Sequence, residues 1–153
     1  MVHAERHAHQ AHRLLHGVKL NVTVPVRPTE ESLLVRQAVL KLFPDAELAE
    51  ADGRLAGPAG DAETLRTRIW ELRIIDTARG QVLHGLAADG RSIRFRLAKQ
   101  AALARQVAFP PRPHALGDIE VTVEAEPGDA QTPEQWVWWL CPETKDGEIV
   151  GPA

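Results

Sequence analysis

Ten Lys and Arg residues fall between Arg66 and Arg112 against three acids, Glu71, Asp76 and Asp89, whereas nine acids follow from Asp118 to Glu148 with only Lys145 in opposition. The formal net charge of −3 therefore conceals roughly +7 beside −8. A dense set of cations suits phosphate binding, because a local positive field attracts polyanions and speeds their encounter whatever the global charge. Fourteen of the eighteen cations are Arg, whose planar fork makes paired hydrogen bonds to phosphate or carboxylate. The candidate phosphate-binding set is Arg73, Arg79, Arg94, Arg96, Lys99, Gln100 and Arg105. Lys99, Gln100 and Arg105 belong to an Ala-rich stretch whose small side chains let a nucleic-acid backbone approach. The competing reading is mutual neutralisation. Arg94 and Arg96 alternate with Ile93, Phe95 and Leu97, and Glu120, Glu124 and Glu126 alternate with Ile119, Val121, Val123 and Ala125. Neighbouring strands would then pair Arg with Glu.

Other chemistry is thinly supported. His3/His7 and His12/His16 have the i,i+4 spacing that gathers imidazoles on a helix, but no carboxylate or thiolate cluster joins them and no apolar period secures a fold there. A histidine-rich tail that takes up nickel adventitiously is the reading, with no physiological metal and no cofactor. Asp76, Arg79 and His84 contain an acid/base set in principle, yet Asp76 reads as a helix cap and His84 as an exposed helix end. An enzyme would need a closed pocket joining Asp76, Arg79, Lys99 and Gln100. No phosphate loop, dinucleotide fingerprint, zinc-protease motif or nucleophile elbow occurs, so catalysis is not expected. With no Tyr, three Phe and Trp only at 70, 136, 138 and 139, rings for stacking unpaired bases are scarce.

These side chains need a scaffold, and 153 residues at 44% hydrophobic suffice for one core. Residues 1–17 read as a tail, and 18–153 as a single α+β domain. Val18, Leu20, Val22, Val24 and Val26 alternate as a strand. Thr29 then caps a helix with Leu34, Val35, Ala38, Val39 and Leu42 as its stripe. Asp52-Gly53 turns a short hairpin, and Asp61 caps a helix with Leu65, Ile69, Leu72 and Ile75 inside. Trp70 and Ile74 lie on its opposite side, so this helix is covered twice or breaks and restarts near Asp76-Thr77, the latter preferred. Ser92–Leu97 and Ile119–Glu126 are strands, and Val107–Phe109 is an optional one. Thr132-Pro133-Glu134-Gln135 is a capping box opening a last helix, with Trp136, Trp139 and Leu140 on its core face and Trp138 off it. The order is βαββααβ(β)βα, a mainly antiparallel sheet with helices on one face. The single Cys141 fits a reducing compartment, and no apolar run approaches the ~20 residues of a membrane span, so the cytoplasm is expected.

Four segments taken in order, Val26-Arg27-Pro28-Thr29-Glu30, Leu72 to Arg79, Leu97-Ala98-Lys99-Gln100-Ala101-Ala102 and Trp139 to Gly147, resemble an archaeal family of small proteins usually labelled RNA-binding. Ala98, Leu103 and Gly80 depart from the Asn, aromatic and Ser customary in that family. The resemblance implies a fold similar to the ribosomal protein that holds the smallest large-subunit RNA, and occasional linkage to a P-loop nucleotide-kinase relative. Charge and resemblance together lead to the expectation of a non-catalytic protein that binds structured RNA by phosphate and shape. The alternative is a protein–protein interaction module or homodimer docking through Trp70 and Ile74, or through Trp138.

Overall fold

The computed structural model describes residues 18–128, 132–146 and 148–150, so His3, His7, His9, His12 and His16 lie outside the described residues. Alternation in β1 (Val18–Pro25) buries Val18, Leu20, Val22 and Val24 and leaves Lys19 exposed. This strand is the centre of a five-stranded sheet, flanked by β3 (Arg54–Ala59) and β5 (Ile119–Ala125), with β2 (Ala49–Ala51) and β4 (Ser92–Leu97) at the edges. Every pairing is antiparallel. The register aligns Leu20, Val123 and Ile93 in one row and Val22, Val121 and Phe95 in the next, so a single apolar face forms. Asp52 and Gly53, with φ of 53° and 72°, make the tight turn joining β2 to β3 that the Asp-Gly pair predicts.

Helices cover that face: α1 (Ser32–Leu42), α2 (Glu63–Glu71), α3 (Ile75–His84), α4 (Lys99–Leu103) and α5 (Pro133–Leu140). The expected stripe of α1 is buried at Val35, Ala38, Val39 and Leu42. The α2–α3 break falls at Leu72–Ile74, slightly before the position expected. In α5, Thr132 Oγ1 accepts the Gln135 N–H at 3.2 Å and Gln135 Oε1 accepts the Thr132 N–H at 2.8 Å, completing the capping box. Trp136 is fully buried, and Trp138 is 43% exposed. A short hairpin, β6 (Thr144–Lys145) with β7 (Glu148–Ile149), follows. Among the described residues no helix is long and apolar enough to cross a membrane.

Three expectations are corrected. Val107–Phe109 is not a strand; the Ala-rich stretch before it is the helix α4, and Ala98 N–H bonds Ala108 O at 3.0 Å. Thr29 is no cap, since α1 starts at Ser32 after Glu31 and has no side-chain cap. The turn before it is built instead by Glu30, which accepts the Arg27 N–H at 2.9 Å. Lys99, expected on a phosphate-facing surface, is 8% exposed and turned inward. Its ammonium donates to Leu116 O at 2.6 Å, Pro25 O at 2.8 Å and Glu30 Oε1 at 2.9 Å. Three donors meet three acceptors, and none is left for a phosphate. Gly117, at φ +85°, permits this convergence, because a Cβ there would collide with the Pro25 ring.

Burial pushes the Glu30 carboxyl up, but the Arg27 N–H and the Lys99 ammonium together outweigh it and hold its pKa below the ordinary 4.5. A depressed folded pKa supplies stability above the unfolded value, which is lost as pH falls through the folded one. Lys99→Met is therefore expected to cost about 3 kcal/mol near neutral pH by leaving the half-buried Glu30 without its cation. The gap to the parent protein should narrow as pH falls below 4.5 and through the depressed folded pKa of Glu30, where the carboxylate that Lys99 pairs with is neutralised. Urea denaturation at pH 7 and pH 3.5 measures this, and a constant gap would contradict the assignment.

Candidate functional site

Most of the basic segment is occupied within the fold. Strand register puts Arg96 opposite Glu120 and Arg94 opposite Thr122. Arg94 reaches diagonally to Glu120 at 3.5 Å, and Arg96 reaches Asp118 at 3.5 Å. Neutralisation thus operates on the outer face of the sheet, with Asp118 as an acid that strand alternation had not singled out. The Arg94 pair is largely exposed and weak, whereas Asp118 is buried.

Arg79 is committed more deeply. Its Nε donates to Cys141 O at 2.9 Å, its Nη2 donates to Pro142 O at 2.7 Å and to Asp76 Oδ1 at 2.9 Å, and its guanidinium lies 4.9 Å from the Trp138 ring. Asp76 also accepts the Thr144 hydroxyl at 2.7 Å, and this hydroxyl, followed by Arg79, holds its carboxyl below the ordinary range. The pair ties α3 to the chain beyond α5. The cleft lined by Lys99 and Gln100 includes neither Asp76 nor Arg79. Burial pushes the Cys141 thiol up to about 12, which leaves it unreactive.

Trp70 is half-buried. Its Nε1 donates to Leu140 O at 2.9 Å, and Arg66 stacks over it at 4.0 Å while donating to Trp139 O. The second apolar side of α2 is partly covered by α5, with Trp70 bonded to its last residue. Both options weighed for this helix hold at once: it breaks, and it is covered twice.

Gln100 is exposed on α4, while Arg73 and Arg105 remain exposed with no side-chain partner among the described residues. These two share an uncommon backbone state. Arg73 follows α2 at φ 58° and Arg105 follows α4 at φ 61°. At the first, Ile74 N–H bonds Ile69 O at 3.2 Å and Arg73 N–H bonds Trp70 O at 3.1 Å; at the second, Gln106 N–H bonds Ala101 O at 2.8 Å and Arg105 N–H bonds Ala102 O at 2.9 Å. Each is the left-handed helix cap at which glycine is most favoured. Arginine there carries a steric cost that glycine avoids.

Arg105 also borders a basic groove of about 620 Å³ between α1 and α2. Gln37 and Lys41 come from α1, Thr64 and Arg68 from α2, and Leu40 and Pro44 provide apolar wall. No lining residue is acidic, although the chain has 21 acids. Arg68 is fixed by Nε donation to Arg105 O at 2.8 Å and a 2.7 Å pair with Glu71. Lys41 has no side-chain partner among the described residues. Sequence reasoning missed Lys41 because it stands outside the basic segment; its i,i+4 spacing from Gln37, off the apolar stripe of α1, was the available signal.

No family model matches the chain. Among curated proteins it is 30% identical over 140 residues to a UPF0200/UPF0201 protein of Archaeoglobus fulgidus, a match covering 90% of this chain and 42% of that protein. The chain thus spans less than half the length of that relative. It is 32% identical to a UPF0201 protein of Methanosarcina acetivorans, covering 87% of this chain and 90% of the relative. Its fold matches the 2.2 Å crystal structure of the UPF0201 protein from Methanococcus jannaschii with a TM-score of 0.78 and 28% identity, over 87% of this chain and 99% of that one.

Replacing Arg73 or Arg105 by Gly is expected to stabilise the protein by about 0.5–1 kcal/mol each, the relief of a left-handed side chain outweighing the greater freedom of the unfolded glycine. Urea midpoints would show it. Destabilisation by both would mean that the guanidiniums make contacts that hold the fold.

Proposed function

The chain belongs to the archaeal UPF0201 family, and from that premise we propose that it is a non-catalytic RNA-binding protein, holding structured RNA by backbone phosphate and shape. The observation that carries this reading is the acid-free groove lined by Lys41, Arg68 and Arg105. Of the residues first assigned to phosphate, Arg105 lines the groove and Arg73 extends the available positive charge at the end of α2. Arg94 and Arg96 are secondary because acids share them, and Lys99 and Arg79 contribute only by holding the fold. Gln100 stands outside the groove and supplies no charge. A groove with cations and no exposed ring suits helical RNA, whose phosphates are recognised by position, better than unpaired strands that need stacking. A fold related to that of a ribosomal protein belongs to the same proposal.

A second reading is favoured by the double name of the Archaeoglobus relative, in which the matched region fills only 42% of the length. Free-standing members would then act beside a UPF0200-type partner. Purified UPF0200 protein that leaves the elution volume of this chain unchanged on size exclusion would dismiss that association.

For RNA, log K should fall linearly with log salt, and the double variant Lys41→Ala/Arg105→Ala should flatten the slope by roughly 1.4–1.8 units, as loss of two phosphate contacts requires. Arg54→Ala, on the far hairpin, should leave it unchanged. Fluorescence anisotropy with a hairpin RNA at several salt concentrations reads both. Salt-independent binding, or equal losses from both variants, would refute the groove.

A further inference from the structure

The first helix is apolar on two sides. Val35, Ala38, Val39 and Leu42 are buried in the core, while Leu33 and Leu34 stand 62% and 44% exposed. Leu103 of α4, 37% exposed, lines one cleft of about 310 Å³ with Leu34, so the outward leucines form a patch across the α1–α4 seam. Of the large exposed hydrophobics among the described residues, only Trp138 lies elsewhere. Leucines gathered in this way on an uncovered helix face mark a surface that another chain covers.

Charge is graded along the seam. Around the first turn of α1 stand the acids Glu30, Glu31 and Glu50. Glu30 holds Lys99 at 2.9 Å, Glu50 accepts the Ser32 hydroxyl at 2.6 Å, and the exposed Glu31 has no side-chain partner among the described residues. Arg27 is the other cation at that end. Around the last turn stand Lys41, Arg68 and Arg105. Against them are Glu71, paired with Arg68, and Asp45, which accepts the Asp61 N–H. One end of α1 is thus net acidic and the other net basic, with the leucines between.

A stripe that runs acid, apolar, basic is complementary to itself reversed. We infer that two copies of this chain pair through α1 and α4 about a twofold axis, with their α1 helices antiparallel. Leucines then cover leucines at the centre, and Glu31 of each copy meets Lys41 of the other. The exposed Gln37, whose amide both donates and accepts, bonds its own copy near the axis. A parallel pairing would instead set like charges together. Lys41 and Arg105 also line the basic groove, so a second copy competes with RNA for them. That consequence alone rests on the RNA reading.

Self-association is therefore measured without nucleic acid, so that the two readings fail separately. Sedimentation equilibrium of the full chain should show reversible passage from 16.8 kDa to twice that mass as concentration rises, weakening with added salt. Leu33→Asp, at an exposed position, is expected to weaken the dimer by roughly tenfold or more. Glu31→Lys and Lys41→Glu should each weaken it about fivefold by placing like charges across the axis. The double variant Glu31→Lys/Lys41→Glu should recover most of that loss, because exchanging both charges restores opposite signs. Circular dichroism checks that each variant is folded. A chain that stays monomeric at every concentration would overturn the inference and give the patch to a partner of different sequence. A dimer indifferent to Leu33→Asp, or a double variant as weak as the single reversals, would overturn it as well.

Discussion

The ammonium of Lys99 is where separate parts of the chain meet. It joins the last carbonyl of β1, the turn before α1, the first residue of α4 and the loop that feeds β5. Those pieces are 69 and 74 residues apart from it on one side and 17 on the other. No hydrophobic contact could fix three carbonyl and carboxylate oxygens at once. Removing the cation would leave them mutually repulsive in a poorly solvated place. The positions of α1 and α4, and therefore of both clefts beside them, follow from this one group.

What the sequence disclosed follows the range of the forces involved. Strand alternation, the stripe of α1, the Asp52-Gly53 turn and the capping box at Thr132 are local patterns, and each is present as read except that Leu34, counted in the stripe, is exposed. The break between α2 and α3 was also legible, because Trp70 and Ile74 cannot share a side with Ile69 and Leu72. Misreadings arose where a side chain bonds across the fold. Thr29 looked like a cap until Glu30 was seen to serve Lys99. Lys99 looked like a surface cation because its acceptors are backbone carbonyls, which leave no mark in side-chain spacing. Lys41 was overlooked for the converse reason: a lone cation gains meaning only when α2 brings Arg68, and the end of α4 brings Arg105, beside it.

The charge asymmetry of the chain is thus sorted by the fold and not cancelled by it. Asp118 and Glu120 meet Arg96 and Arg94 across the outer face of the sheet, and backbone carbonyls from Trp139 to Pro142 take up Arg66 and Arg79 together with the indole of Trp70. Cations at helix ends, Lys41, Arg73 and Arg105, keep their donors for solvent or ligand. A linear count of charges could not have separated these groups, because they interleave along the chain.

The arrangement of the tryptophans limits how this protein can be watched. All four lie on α2 and α5, and the chain has no tyrosine. Its near-ultraviolet emission therefore arises at one seam, where Arg66 is stacked between Trp70 and Trp139. Emission will report the docking of α5 faithfully and will say little about events at the α1 and α4 clefts. Any optical study of ligand entry there requires an introduced chromophore.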